Sequence, residues 1–230
     1  DARPEVTERF ELYITGREFG NFGAATVGYR QRSGEANLLI GTSSVVNNDF
    51  NIGEAYWNLT FDRLDSFQVP RSGTFASLGQ TLGRKDFGSD NNFNQVNFDI
   101  IYAQAVGAHS AYGGLRYHDT VSGTALLQNQ YRLGGVTRLA GYRPNELFTS
   151  NYALGFIGYT YELGRLLNRP AIIGGTIEYA DLWEEGSAHK QELHASAYFG
   201  FDSWLGRFLF GYGARESGEG SFFLELGRNR

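Results

Sequence analysis

The feature that most constrains this chain is an alternation of apolar and polar residues with a period of two, repeated along nearly its whole length and interrupted by no convincing helical stretch. Between Glu54 and Asp62, the residues Ala55, Trp57, Leu59 and Phe61 alternate with Glu54, Tyr56, Asn58, Thr60 and Asp62. Successive side chains of an extended backbone point to opposite faces, so this segment reads as a strand with one apolar and one polar face. Phe10, Leu12 and Ile14 repeat the pattern, as do Val96, Phe98, Ile100 and Tyr102, and then Leu193, Ala195, Ala197, Phe199 and Phe201. Strands are expected near residues 8–15, 22–31, 35–43, 52–63, 72–82, 93–105, 107–118, 148–162, 170–183, 191–202, 205–214 and 219–227. That makes about 12 strands, an all-β chain, and a length of 230 residues suits one antiparallel barrel domain spanning 1–230. QRSG and AVG make tight connections, whereas VVNNDFN, GRKDFGSDNN and the stretch from Asp119 to Leu147 are long and polar. Short turns on one side and long loops on the other are what outer-membrane barrels show.

Alternation alone does not say which face meets water. A soluble binding barrel turns its apolar set inward, and a membrane barrel turns it outward. Here 15% of the residues are aromatic although mean hydropathy is only −0.35, so the apolar residues are dispersed and no run is long enough for a transmembrane helix. Tyr13, Tyr29, Trp57, Tyr102, Tyr117, Tyr179, Trp183 and Trp204 fall near segment ends, where amphipathic rings mark a bilayer interface. The expected fold is therefore a transmembrane antiparallel β-barrel in the bacterial outer membrane. Trp57, Leu59, Phe61, Phe98, Ile100, Leu193, Ala195 and Phe199 are expected to face lipid, and Glu54, Asn58, Asn97, Asp99, Glu178 and His194 to face inward.

Several chemistries are excluded or disfavoured. Cysteine is absent, which removes disulfides and thiolate sites, and a net charge of −5 without runs of like charge makes no nucleic-acid footprint. Methionine is absent too, so the chain is expected to be a processed product or an excised piece, with any signal peptide upstream of Asp1. His189 and His194 are the nearest thing to a metal pair, but no third ligand shares their spacing, and no metal or cofactor is expected. A lipid-facing Ser–His phospholipase site is disfavoured because His109 and Ser110 are adjacent and point to opposite faces. Gly113, Gly114, Gly174, Gly175, Gly211 and Gly213 mark either close approach of a loop to the wall or strong strand curvature.

The segment QYRLGGVTRLAGYRPNEL, residues 130–147, resembles the inward-folded long loop of the bacterial surface antigen superfamily, the barrels of outer-membrane assembly factors and two-partner translocators. The family motif has a hydrophobic residue followed by Arg, Gly and an aromatic; here it reads Leu139, Ala140, Gly141 and Tyr142, with alanine in place of the arginine. IIGGTIEYADLWEE resembles the strand that carries the wall carboxylate, and FDSWLGRFLFGYGARESGEGSFFLELGR the last hairpin. With YALGFIGYTYELG, the lost arginine points to the C-terminal barrels of patatin-like phospholipases. The likeness covers roughly residues 50 to 230, and no GxSxG nucleophile motif occurs in the chain.

The resemblance implies a barrel of sixteen strands with five after the loop. Five segments follow the loop here but only about seven precede it, so the chain either closes on twelve strands or is the last three-quarters of a larger barrel. It further implies a non-enzymatic barrel that anchors, and translocates or inserts, a passenger tethered upstream, with outer-membrane lipid and the barrel assembly machinery as partners and oligomerisation left open. A passive pore or anchor and an outer-membrane phospholipase are the alternatives. By the same resemblance Glu178 is the wall carboxylate, and Arg138 or Arg143 is its expected partner in the absence of arginine at 140. The loop is expected to tuck into the lumen with Tyr142 packed inside. Phe222, Leu224 and Leu226 supply the alternating apolar pattern expected of a C-terminal assembly signal.

Overall fold

The computed structural model describes residues 18–19, 23–36, 48–124, 127–166, 169–184, 186–204 and 206–227. Before the long loop the strands are β1 (Glu18–Phe19), β2 (Gly23–Ala36), β3 (Asn48–Asp62), β4 (Gly73–Gly83), β5 (Phe93–Val106) and β6 (His109–Gly123). Within the loop are β7 (Tyr131–Leu133) and β8 (Leu147–Thr149). After it come β9 (Asn151–Leu166), β10 (Arg169–Trp183), β11 (Lys190–Ser203), β12 (Gly206–Arg215) and β13 (Gly220–Gly227). Ten of the expected strands are found within a few residues of their expected bounds. The strand near 8–15 and most of the one near 35–43 lie outside the described residues.

Eleven strands form one sheet in the order β1-β2-β3-β4-β5-β6-β9-β10-β11-β12-β13, and β7 pairs with β8 separately. Sequence neighbours are sheet neighbours except at the loop, where β6 pairs directly with β9 through Tyr112↔Gly158 and its flanking residues. The loop therefore leaves and returns to adjacent strands without adding a strand to the wall. β10 is paired along its length on both sides, to β9 and to β11, with one bulge between Ala171 and Ile172. Its residues are thus held in fixed register, which matters because β10 carries Glu178.

By compactness the chain falls into two units, Asp1–Thr60 with Leu78–Val96 and Thr120–Leu126, and Phe61–Ser77 with Asn97–Asp119 and Leu127–Arg230. The boundaries lie inside β3, β4, β5 and β6. In the first unit Glu54 is buried and takes Arg30 Nε at 2.5 Å and Arg32 Nη2 at 3.2 Å, so the carboxylate is balanced by arginines spaced two apart on β2. Phe50, Ile52 and Phe93 pack together there, and Trp57 Nε1 donates to Gln80 Oε1 at 3.1 Å.

In the second unit the two faces separate cleanly. Phe98, Ile100, Leu115, Ile157, Ile173, Ile177, Leu193, Phe199, Phe210, Phe222, Leu224 and Leu226 are all exposed on one face. A continuous apolar surface of that extent is not tolerated by a soluble monomer and suits lipid. Leu59, in the first unit, is exposed in the same way, and Asp99, Glu178 and His194 are buried as expected.

The interior departs from expectation in one respect. A polar inner face is the rule for a water-filled barrel. Here Ile101, Tyr112, Tyr152, Leu154, Phe156, Ile172, Leu182, Tyr198, Leu209 and Phe223 line a buried apolar core together with the loop residues Leu133, Val136, Leu139 and Tyr142. The loop replaces water, so the wall beneath it is selected for packing rather than hydration. This also explains β9, whose apolar residues lie on both faces: Tyr152, Leu154 and Phe156 are buried and Ile157 and Tyr159 exposed.

Candidate functional site

The loop is built on a short stem in which Tyr131, Arg132 and Leu133 pair with Thr149, Phe148 and Leu147. Between the strands, Gly134 N–H donates to Arg138 O at 2.6 Å, Arg138 N–H to Gly135 O at 3.0 Å, and Tyr142 N–H to Leu139 O at 3.0 Å. These bonds wind the chain into consecutive tight turns. Gly134 and Gly135 take positive φ without cost, but so do Thr137 at 60° and Leu139 at 73°, where a side chain makes this conformation unfavourable by about 1–3 kcal/mol each. Alternating such residues with ordinary ones turns successive N–H groups toward one point and makes an anion-binding nest.

The anion is Glu178. Its carboxylate is fully buried and accepts N–H bonds from Thr137 at 2.9 Å, Leu139 at 2.5 Å and Ala140 at 2.9 Å, plus the Thr176 hydroxyl at 2.7 Å. The expected ion pair with Arg138 or Arg143 is not what holds it. Arg138 is exposed and its Nη2 donates to Arg132 O at 2.6 Å, while Arg143 is exposed with its N–H bonded to Glu146 at 2.7 Å. The reason is geometric and energetic together. A backbone that aims its amides at Glu178 leaves the Arg138 side chain to bond elsewhere, and amides balance the carboxylate without the desolvation of a second buried charge. The wall arginine Arg116 does not meet Glu178 either, pairing with Asp99 at 3.0 Å.

The motif residues Leu139, Ala140, Gly141 and Tyr142 are all buried at this contact. Ala140 lies against Gly213 of β12 so closely that a Cβ on Gly213 would overlap the Ala140 carbonyl. Gly213 is thus one of the strand glycines that mark loop approach, whereas Gly174 makes room for the Tyr198 side chain and Gly211 for the Phe223 ring. Gly141 N–H donates to His194 Nδ1 at 3.0 Å, which requires that nitrogen to be unprotonated; Nε2 faces Glu192 Oε2 at 2.9 Å and donates to it. The Tyr142 hydroxyl donates to Glu192 Oε1 at 2.7 Å, and the Arg215 guanidinium lies 4.3 Å from the ring centroid in a cation–π contact. Burial and the Glu192 acceptor both push the pKa of the Tyr142 hydroxyl up from its ordinary value. A cavity of about 460 Å³ opens at this rim, bounded by Tyr142, Lys190, Glu192, His194 and Arg215.

A second polar group supports the loop stem. Asp99 of β5 accepts from Arg116 at 3.0 Å and pairs with His118 at 3.1 Å, both on β6, and the His118 ring stacks on Tyr152 at 4.8 Å and meets Tyr131 edge-on at 4.9 Å. Sequence reasoning placed Asp99 inward but missed this cluster; its signal was the i, i+2 spacing of Arg116 and His118 opposite an acidic position. His189 pairs with Asp181 at 2.8 Å and stacks on Trp183, and His194 belongs to the loop contact, so the two are not brought together as metal ligands. Among the described residues no cluster of three or more His, Cys, Asp or Glu is placed to hold a metal ion. Ser110 is buried and donates to Pro70 O at 3.2 Å, while its neighbour His109 is exposed and bonded to Tyr159 at 2.5 Å. Phe222, Leu224 and Leu226 lie exposed along β13. What the site does chemically is to hold the loop without a covalent tie, through the Glu178 carboxylate, the His194 ring and a cation–π contact between Arg215 and Tyr142.

Among known proteins, the Omp85 superfamily domain matches residues 21–180. A stretch of 21 residues is also 95% identical to part of the lysine–tRNA ligase of Variovorax paradoxus (strain S110), covering 9% of this chain and 4% of the length of that protein. A shared span that short carries neither a domain nor a site.

Proposed function

The chain belongs to the Omp85 superfamily, whose barrels reside in the bacterial outer membrane and serve insertion or translocation, and from this premise we propose that it anchors and passes or inserts an attached N-terminal passenger through a lumen gated by the loop. The passenger, by the sequence resemblance, is a patatin-like phospholipase. The observation that carries this reading is the manner in which the loop is held: hydrogen bonds to Glu178 and His194 and a stack under Arg215, with no covalent tie. Such contacts are strong when shielded and are lost together once water enters, which is the behaviour of a gate. Outer-membrane lipid meets the apolar outer face, and the barrel assembly machinery is the partner that inserts the strands.

The test is passenger location in cells producing the intact protein. Protease applied from outside should cleave the passenger with the native barrel, and Glu178→Gln should change the fraction reaching the surface. An unchanged fraction in that variant would count against gating by the loop. The rival reading, a passive pore or anchor, draws on the breadth of apolar packing beneath the loop, since Leu133, Val136 and Leu139 join the same core as the wall. A steady open conductance of the native protein in reconstituted bilayers, unaltered by Glu178→Gln, would favour the passive reading.

A further inference from the structure

Three of the connections at the short-turn end need only two residues: 107–108, 167–168 and 204–205. The connection between β3 and β4 takes ten, residues 63–72, and the added length is not left in solvent. Leu64 and Val69 are buried in the core that also holds the loop. Asp65 Oδ1 accepts the N–H groups of Arg71 at 2.9 Å and Ser72 at 3.2 Å, which folds the segment on itself.

Four strands that are not its chain neighbours then fasten it. Gln68 Nε2 donates to Glu225 Oε2 on β13 at 3.3 Å, and Arg207 Nη1 on β12 donates to Val69 O at 3.3 Å. Ser110 Oγ on β6 donates to Pro70 O at 3.2 Å, and Arg71 pairs with Glu162 on β9. A turn that merely reversed the chain would use none of these. Glu225 has a second role, because its carboxylate also lies against the loop: a Cβ on Gly135 would stand 3.2 Å from Glu225 Oε1. The strap and the loop therefore share one wall residue.

We propose that residues 63–72 form a second gate at the short-turn, periplasmic end, interlocked with the loop through Glu225, so that freeing the loop alone does not open a passage. This rests on reading the lumen as a gated passage. A segment entering from the periplasm meets Val69 and Gln68 before it meets the loop. Displacing them breaks the Gln68–Glu225 bond and frees the carboxylate on which the loop rests, so opening of the strap loosens the loop. The Arg71–Glu162 pair is about one quarter exposed, which makes it a fastening that water and salt readily loosen.

Two measurements on the intact protein in lipid bilayers separate this proposal from the reading it rests on. Because the chain has no cysteine, Val69→Cys supplies a unique thiol. Its labelling by a membrane-impermeant maleimide should be slow in the parent and faster by on the order of fivefold or more once Gln68→Ala and Arg71→Gln are added. Equal rates would overturn the strap whatever the lumen does. If those changes prevent folding, Arg71→Glu should speed labelling and the exchange Arg71→Glu with Glu162→Arg should slow it again; failure of the exchange to restore protection also overturns the strap. In conductance, Glu178→Gln alone should stay closed and open only in combination with the strap substitutions. Full conductance from Glu178→Gln alone would remove the second gate and keep the passage. No conductance from the combination, with the thiol labelling fast, would remove the passage and the second gate with it.

Discussion

Replacing Glu178 by glutamine tests the loop contact at its centre. The substitution keeps shape and removes the charge and half of the acceptors. The favourable amide orientation puts its oxygen where Oε2 was, keeping the N–H groups of Leu139 and Ala140, and its NH₂ where Oε1 was, facing Thr137 N–H and the Thr176 hydroxyl. The hydroxyl can turn to accept, using its other contact with Ser196 Oγ at 2.6 Å, but Thr137 N–H cannot. One buried N–H is left facing a donor, costing about 1–3 kcal/mol, and the two retained bonds lose their charge assistance, for a total of about 2–4 kcal/mol. Strain at Thr137 and Leu139 works in the same direction, because undocking relieves it. Hydrogen exchange of residues 131–149, followed by mass spectrometry in detergent, should therefore accelerate by roughly thirtyfold to a thousandfold while the β9 and β10 amides keep their protection. Unchanged exchange at 137, 139 and 140 would refute the claim that this carboxylate holds the loop.

Gly213→Ala should undock the loop with little effect on the wall, because the added methyl overlaps the Ala140 carbonyl, a backbone atom that cannot rotate away; a cost of about 1–3 kcal/mol would appear as faster exchange at 139–142. Leu59→Arg, on an exposed outer position, should destabilise the folded barrel by about 2–4 kcal/mol in bilayers, measured by denaturant titration, and an effect near zero would remove Leu59 from the lipid face. Because Tyr142 titrates above its ordinary value, the neutral hydroxyl is the docked form: its contribution is intact below about pH 10 and is lost as pH rises through the raised value. A spin label at Arg138→Cys should gain mobility in that alkaline range, and Tyr142→Phe should abolish this dependence. Polar substitution of Phe222 and Leu224 together should lower the amount of barrel recovered in outer membranes, and normal levels would argue against β13 as the assembly signal.

The strands were legible because alternation is a local property: each residue carries its own polarity, and the pleat converts that into a face. Leu59, Phe98 and Phe199 could be assigned to strands in this way, and the aromatic ends and unequal connections then chose lipid over water for the apolar side. The long loop announced itself through apolar residues and glycines that a solvated loop would not use. Glu178 was identified through resemblance, yet its partner was not, since residue types suggest side-chain pairing whereas Glu178 is bound by peptide N–H groups that every residue but proline possesses. Their convergence depends on positive φ at Thr137 and Leu139, which those side chains disfavour and only the surrounding contacts enforce. Alternation along β6 likewise put Arg116 and His118 on one face, but only pairing with β5 set them against Asp99. Sequence by itself determined an all-β chain with an apolar side and an inward-turning loop, because those follow from polarity and spacing. Tertiary structure alone decided what the loop and the 63–72 strap hold on to, because backbone direction and contacts between distant strands are fixed only when the whole sheet is in register.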